Sequence, residues 1–102
     1  MPRVRVARLD DLPAGTPRLV EAAGRRLVLV RVGDAVHACA DACAHKGGPL
    51  SEGKLSGTRL ACPWHGWHYD VRTGQCVFPG RGASVASYRV DVADGDVHVH
   101  ID

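Results

Sequence analysis

An all-β fold is predicted by three features of the sequence. Its apolar residues come in short Val-rich runs, Gly, Pro and Asp break those runs, and no segment keeps a 3.6-residue period over three helical turns. Taken in order, the runs predict strands over 3–7, 18–21, 26–32, 35–40, 59–61, 67–70, 87–92 and 97–101. Gly33-Asp34 falls between two Val-rich runs and Asp94-Gly95-Asp96 lies near the end; both are hairpin signals, because Gly and Asp tolerate the positive φ of tight turns. Arg72-Thr73-Gly74 is a further turn. The stretch 41–57 holds Gly47, Gly48, Pro49, Gly53 and Gly57, and its length argues for a functional loop. In the last strand His98 and His100 alternate with Val97, Val99 and Ile101, so the two histidines share a face directed at solvent.

A chain of 102 residues fits a single domain over 1–102, small enough that an added crosslink would help it hold together. With 45% hydrophobic and 24% charged residues it has the composition of an ordinary globular protein. The net charge of +2, with no basic run interleaved with aromatics, argues against a nucleic-acid partner. Residues 1–31 hold seven Arg against Asp10, Asp11 and Glu21, whereas residues 82–102 hold Arg89 against Asp91, Asp94, Asp96 and Asp102. Such a gradient would suit the orientation of a docking partner, the plainer reading being a solvated face at each end. The first residues lack the apolar stretch of a signal peptide, and nowhere do about 18 consecutive apolar residues occur. The protein therefore reads as cytoplasmic, without a membrane partner. In a reducing cytosol its four cysteines point to metal or redox chemistry rather than to disulfides.

Two motifs carry that chemistry. Cys43-Ala44-His45 and Cys62-Pro63-Trp64-His65 are separated by 16 residues, and each places one thiol and one imidazole in a loop. Two sulfur and two nitrogen donors would suit a structural zinc ion. The order is not that of a zinc finger, in which two Cys precede two His on a helix. A two-iron cluster bridging the loops would take both thiolates on one iron and both imidazoles on the other.

Cys43-Ala44-His45-Lys46-Gly47-Gly48-Pro49-Leu50 and Cys62-Pro63-Trp64-His65-Gly66-Trp67 resemble the two cluster-binding loops of Rieske proteins, in the form found in soluble ferredoxins and ring-hydroxylating oxygenases. The resemblance covers almost the whole chain. It implies stacked antiparallel sheets and one Rieske-type [2Fe–2S] cluster, with Cys43 and Cys62 on the inner iron and His45 and His65 on the outer, near the surface. Phe78-Pro79-Gly80 resembles the proline loop that covers the cluster. Gly47, Gly48 and Gly66 would bring backbone N–H groups close to sulfur and keep side chains away.

With two thiolates and two neutral imidazoles the oxidised cluster is neutral overall, whereas four thiolates would leave it doubly negative. Adding an electron is therefore easier, and Rieske potentials span roughly −150 to +300 mV against about −400 mV for plant-type ferredoxins. High-potential relatives carry a serine where this chain has Trp67 and a loop-to-loop disulfide where it has Gly48 and Trp64, while Tyr69 stands where they keep a tyrosine. A potential low in the class follows.

Cys39 and Cys76 are expected to be small buried hydrophobes and His37 and His68 to be structural, while Trp64 and Trp67 are each expected to shield the cluster from water, the alternative being a docking surface. The resemblance implies a monomeric one-electron carrier between a flavoprotein reductase and a terminal oxygenase, without substrate chemistry of its own. Lys46 and Arg81 are its candidate docking contacts. The alternatives are a small Rieske-like subunit of a larger reductase, such as an assimilatory nitrite reductase, and the electron-transfer domain of an oxygenase. The latter would need a further catalytic domain with a mononuclear iron site, for which the sequence leaves no room.

Overall fold

The computed structural model describes residues 3–44, 47–64 and 66–101. Among them lie strands β1 (Arg3–Arg8), β2 (Arg18–Ala22), β3 (Arg25–Val32), β4 (Ala35–Ala40), β5 (Lys54–Ser56), β6 (Arg59–Ala61), β7 (His68–Asp70), β8 (Cys76–Phe78), β9 (Ser87–Tyr88), β10 (Val90–Ala93) and β11 (Asp96–His100). Single 3-10 turns occur at Leu9–Asp11 and Leu50–Glu52, and no α-helix occurs among the described residues. The strands form three antiparallel sheets: a terminal sheet ordered β1-β11-β10, a central sheet β2-β3-β4-β9 and a loop sheet β5-β6-β7-β8.

The central sheet is buried on both faces, which explains the unbroken apolar run Leu27–Val30 in β3. Leu27 and Leu29 join Val36, Ala38, Val97, Val99 and Ile101 in one core, against the terminal sheet. Val28 and Val30 point the other way, into a second core with Cys39, Cys43, Leu50, Leu60, Cys62, Tyr69, Val71 and Cys76. A strand covered on one side alternates; one covered on both sides does not. The second core therefore holds the candidate thiols between the central and loop sheets.

The predicted strands are all present, with three refinements. The segment 87–92 is two strands, because the chain changes sheets at Arg89: β9 pairs with β4 and β10 pairs with β11. β5 and β8 fall where the sequence predicts no strand, and each is a three-residue strand paired to one neighbour. Gly53, just before β5, sits where a Cβ would overlap the Ala61 carbonyl of β6, so the exit of the first motif loop presses directly on the strand entering the second.

The charge gradient along the chain is consumed inside the fold. β1 and β11 are neighbours, and Arg5 and Arg8 reach the Asp96 carboxylate at 2.9 and 3.0 Å, while Arg3 and Arg89 approach Asp91 at 3.9 Å. The hydrogen bond from Arg5 holds the Asp96 carboxyl below its ordinary range, and the bond to His100 does the same for Asp91. Arg3, Arg5 and Arg8 at the start of the chain are thus paired with the acidic residues near its end. His98 is half-buried rather than fully solvated, its Nδ1 enclosed without a partner, and His100 Nε2 meets Asp91 Oδ2 at 2.5 Å.

Candidate metal centre

Two hairpin-like turns of the same construction carry the cysteines. In the first, the Cys43 N–H donates to the Gly48 carbonyl at 2.9 Å and the Gly47 N–H donates back to the Cys43 carbonyl at 2.7 Å. In the second, the Cys62 N–H donates to the Trp67 carbonyl at 2.7 Å and the Gly66 N–H returns to the Cys62 carbonyl at 3.1 Å. Each turn thus closes between a cysteine and the residue five positions on, with a glycine at the fourth. That glycine has φ +73° at Gly47 and +72° at Gly66, the left-handed region where a side chain is disfavoured. His45, Lys46 and His65 belong to these segments of the chain and lie outside the described residues.

Gly48 has a different reason for its identity. A Cβ there would lie 2.8 Å from Cys62 Sγ and 3.0 Å from the Trp64 ring, so the first turn abuts the second at the cysteine itself. Trp64 therefore packs on Gly48 with one edge, yet 57% of it remains exposed. Trp67, by contrast, is half-buried against the inner core.

Cys43 and Cys62 are both buried, and no disulfide joins any cysteine among the described residues. Tyr69 is fully buried behind them. Its hydroxyl accepts the Ala44 N–H at 2.9 Å and lies 3.0 Å from Cys43 Sγ. Since the amide proton occupies the oxygen's acceptor side, the phenol's single proton is free to point at sulfur, which supports a thiolate. Burial, reinforced by the contact with Cys43, raises the Tyr69 phenol well above its ordinary value, so that proton stays in place. Tyr69→Phe is expected to lower the midpoint potential, by removing a hydrogen bond that favours the more negative state. It also leaves the Ala44 N–H without its partner, at a cost of about 1–3 kcal/mol. Redox titration and thermal melting of the variant check both effects.

The foot of the first loop is closed by Asp41. Its Oδ1 accepts the Ser51 N–H at 2.5 Å and its Oδ2 the Ser51 hydroxyl at 3.0 Å, while the Asp41 N–H donates to the Arg26 carbonyl at 3.1 Å. Sequence reading passes over both residues, because a lone Asp ahead of a cysteine has no signature of its own. The repeated glycine four positions after each cysteine is the signal that could have revealed the paired turns.

The remaining candidates fall where expected. Cys39 and Cys76 are buried, and their thiols donate to the Val71 and Phe78 carbonyls at 3.5 and 3.2 Å. Burial pushes the Cys39 thiol up to about 11, so it is inert as a ligand or nucleophile at neutral pH. His68 stacks edge-on against Phe78 with ring centroids 5.9 Å apart. His37 is half-buried near the Asp70–Arg72 ion pair, and burial lowers its pKa. Phe78 and Pro79, joined by a cis peptide bond, are exposed, as is Arg81.

Two buried thiols on facing turns, one with a phenol proton aimed at it, fit a soft metal or an iron–sulfur cluster. Residues 3–89 match the family model of the Rieske [2Fe-2S] domain. The chain belongs to the Rieske [2Fe–2S] family. As such it takes one Rieske-type cluster, and the zinc alternative is set aside. Ferredoxin CarAc of Metapseudomonas resinovorans is 35% identical over 97 residues, covering 94% of this Rieske chain and 91% of the relative. The structure of a complex of reduced oxygenase and oxidized ferredoxin in carbazole 1,9a-dioxygenase contains a chain that superposes with a TM-score of 0.89 at 35% identity, with 95% and 100% of the two chains covered. A chain described as a nitrite reductase NADPH small subunit superposes with a TM-score of 0.85 at 26% identity, with 99% and 100% covered.

Proposed function

We propose that this Rieske protein is a one-electron carrier, a single domain over residues 1–102 that performs no substrate conversion. In this reading Cys43 and Cys62 hold one iron through thiolates and His45 and His65 hold the other through imidazoles. The paired cysteine turns carry the reading, since they bring two buried thiols together from loops that each also contain a histidine in sequence. When bound, the cluster supplies reversible one-electron chemistry.

The chain's own residues do the rest. The inner core excludes water from the thiols, Tyr69 and the turn amides fix Cys43, and the Gly48 contact sets the approach of the two loops. Pro63, Trp64, Phe78 and Pro79 are exposed on the second turn and on the Phe78-Pro79-Gly80 segment, offering apolar surface to a partner.

The partners are a flavoprotein reductase upstream and a terminal oxygenase downstream, a reading supported by the ferredoxin and oxygenase–ferredoxin relatives. The carrier acts as a monomer in the cytoplasm, in keeping with the absence, among the described residues, of any helix long and apolar enough to cross a membrane. The likeness to the nitrite reductase small subunit favours a second reading, a subunit fixed to one reductase.

Stopped-flow mixing of the reduced protein with a ferredoxin-dependent oxygenase separates the two. A free carrier reacts with a rate that rises linearly with oxygenase concentration; a fixed subunit transfers no electrons to it and co-purifies with its reductase. In the same assay Trp64→Ala is expected to lower the second-order rate about tenfold, the loss of one aromatic contact worth roughly 1.4 kcal/mol, while leaving the saturating rate unchanged. A fall in the saturating rate alone would assign Trp64 to the cluster environment instead.

A further inference from the structure

We infer that Asp41 is a positioning residue that does two separable jobs: it latches the first cluster loop through Ser51, and its charge holds the reduction potential down. The inference rests on the reading of Cys43 as a cluster ligand. Asp41 is the one charged residue that is buried among the described residues, and it stands two positions before Cys43. Its two oxygens each accept a hydrogen bond from a donor on Ser51, one from the backbone and one from the hydroxyl. A carboxylate can accept both bonds at once.

The latch is geometric. Asp41 and Ser51 bracket the Cys43–Gly48 turn, so the loop is closed twice, by backbone bonds inside and by the carboxylate outside. The Asp41 N–H bond to the Arg26 carbonyl ties this double closure to the central sheet, and Leu50, fully buried, anchors the other foot. The charge acts differently. A negative group kept out of water two residues before the ligand opposes the arrival of a further negative charge, and little solvent screens it. Hydrogen bonds from Tyr69 and the charge of Asp41 therefore pull the potential in opposite directions.

Three variants distinguish the jobs, with the midpoint potential and the rate of cluster loss to a chelator as readouts. Asp41→Asn keeps an oxygen for the Ser51 N–H and removes the charge: its potential should move positive. Ser51→Ala keeps the charge and loses one latch bond: its potential should stay at that of the native protein while cluster loss speeds several-fold. Should Asp41→Asn fail to hold a cluster, Asp41→Glu is read in its place, with a native potential and faster loss expected. A native potential in loaded Asp41→Asn, a shift in Ser51→Ala as large as in Asp41→Asn, or a raised potential in Asp41→Glu would overturn the inference. If the native protein itself gives no Rieske-type EPR signal when reduced, it is the ligand assignment that has failed rather than the role of Asp41.

Discussion

Cys62→Ala is expected to purify without visible colour, with its iron falling from about two atoms per chain to a trace. In the proposed ligation only three protein donors would remain, and the Sγ that a Gly48 Cβ would approach to 2.8 Å would be gone. The consequence for stability is local. Cys62 lies in the inner core with Leu60, Tyr69 and Cys76 of the loop sheet, whereas the core between the central and terminal sheets contains neither Cys43 nor Cys62. A bound metal acts as a crosslink whose binding energy becomes folding energy for the segments it joins. Hydrogen exchange in the variant should therefore accelerate in β5 to β8 while β1, β3 and β11 keep their protection. Equal loss of protection across all three sheets would mean that the cluster supports the whole fold; native iron content would mean that Cys62 is not a ligand.

Gly48→Ala is the second large effect. The position has no positive φ, so the substitution tests space alone: the new methyl would stand 2.8 Å from Cys62 Sγ and 3.0 and 3.1 Å from two atoms of the Trp64 ring. Cys62 cannot retreat easily, because it is pinned by its N–H bond to the Trp67 carbonyl and by the Gly66 amide on its own carbonyl. The two turns must separate, at an expected cost of about 1–3 kcal/mol for overpacking. Cluster occupancy after identical expression should fall by more than half, and the remaining cluster should be lost to chelator faster than in the native protein. A Gly47→Ala control has open space around its Cβ and suffers only the strain of φ +73°, so it should retain more cluster than Gly48→Ala. The reverse order would show that backbone conformation, not the close approach of the loops, dictates these glycines.

Much of this was legible in the sequence, and the parts that were not have identifiable causes. Strict alternation such as Val97-His98-Val99-His100 locates a strand, as does the doubly buried run Leu27–Val30. Lys54–Ser56, set in a glycine-rich stretch, gives no strand signal of its own, and its existence depends on a neighbour that only the fold supplies. The pairing of the chain's basic start with its acidic end is not visible in the sequence, because it requires knowing that Arg5 and Asp96 belong to paired strands. For the site, the cysteines were evident from their spacing with histidine. Burial of an aromatic cannot be told from its position in the chain: Trp64 and Trp67 are three residues apart, yet one is mostly exposed and the other packs on the core. Asp41 and Ser51 were invisible because a contact across ten residues leaves no local mark.

Pulsed EPR on the native protein after anaerobic reduction by dithionite tests the central claim most directly. Ligation of one iron by His45 and His65 predicts a rhombic signal from the reduced cluster with strong hyperfine coupling to two imidazole nitrogens. A colourless, EPR-silent protein that contains zinc would contradict the account, and so would an iron–sulfur signal without those nitrogen couplings.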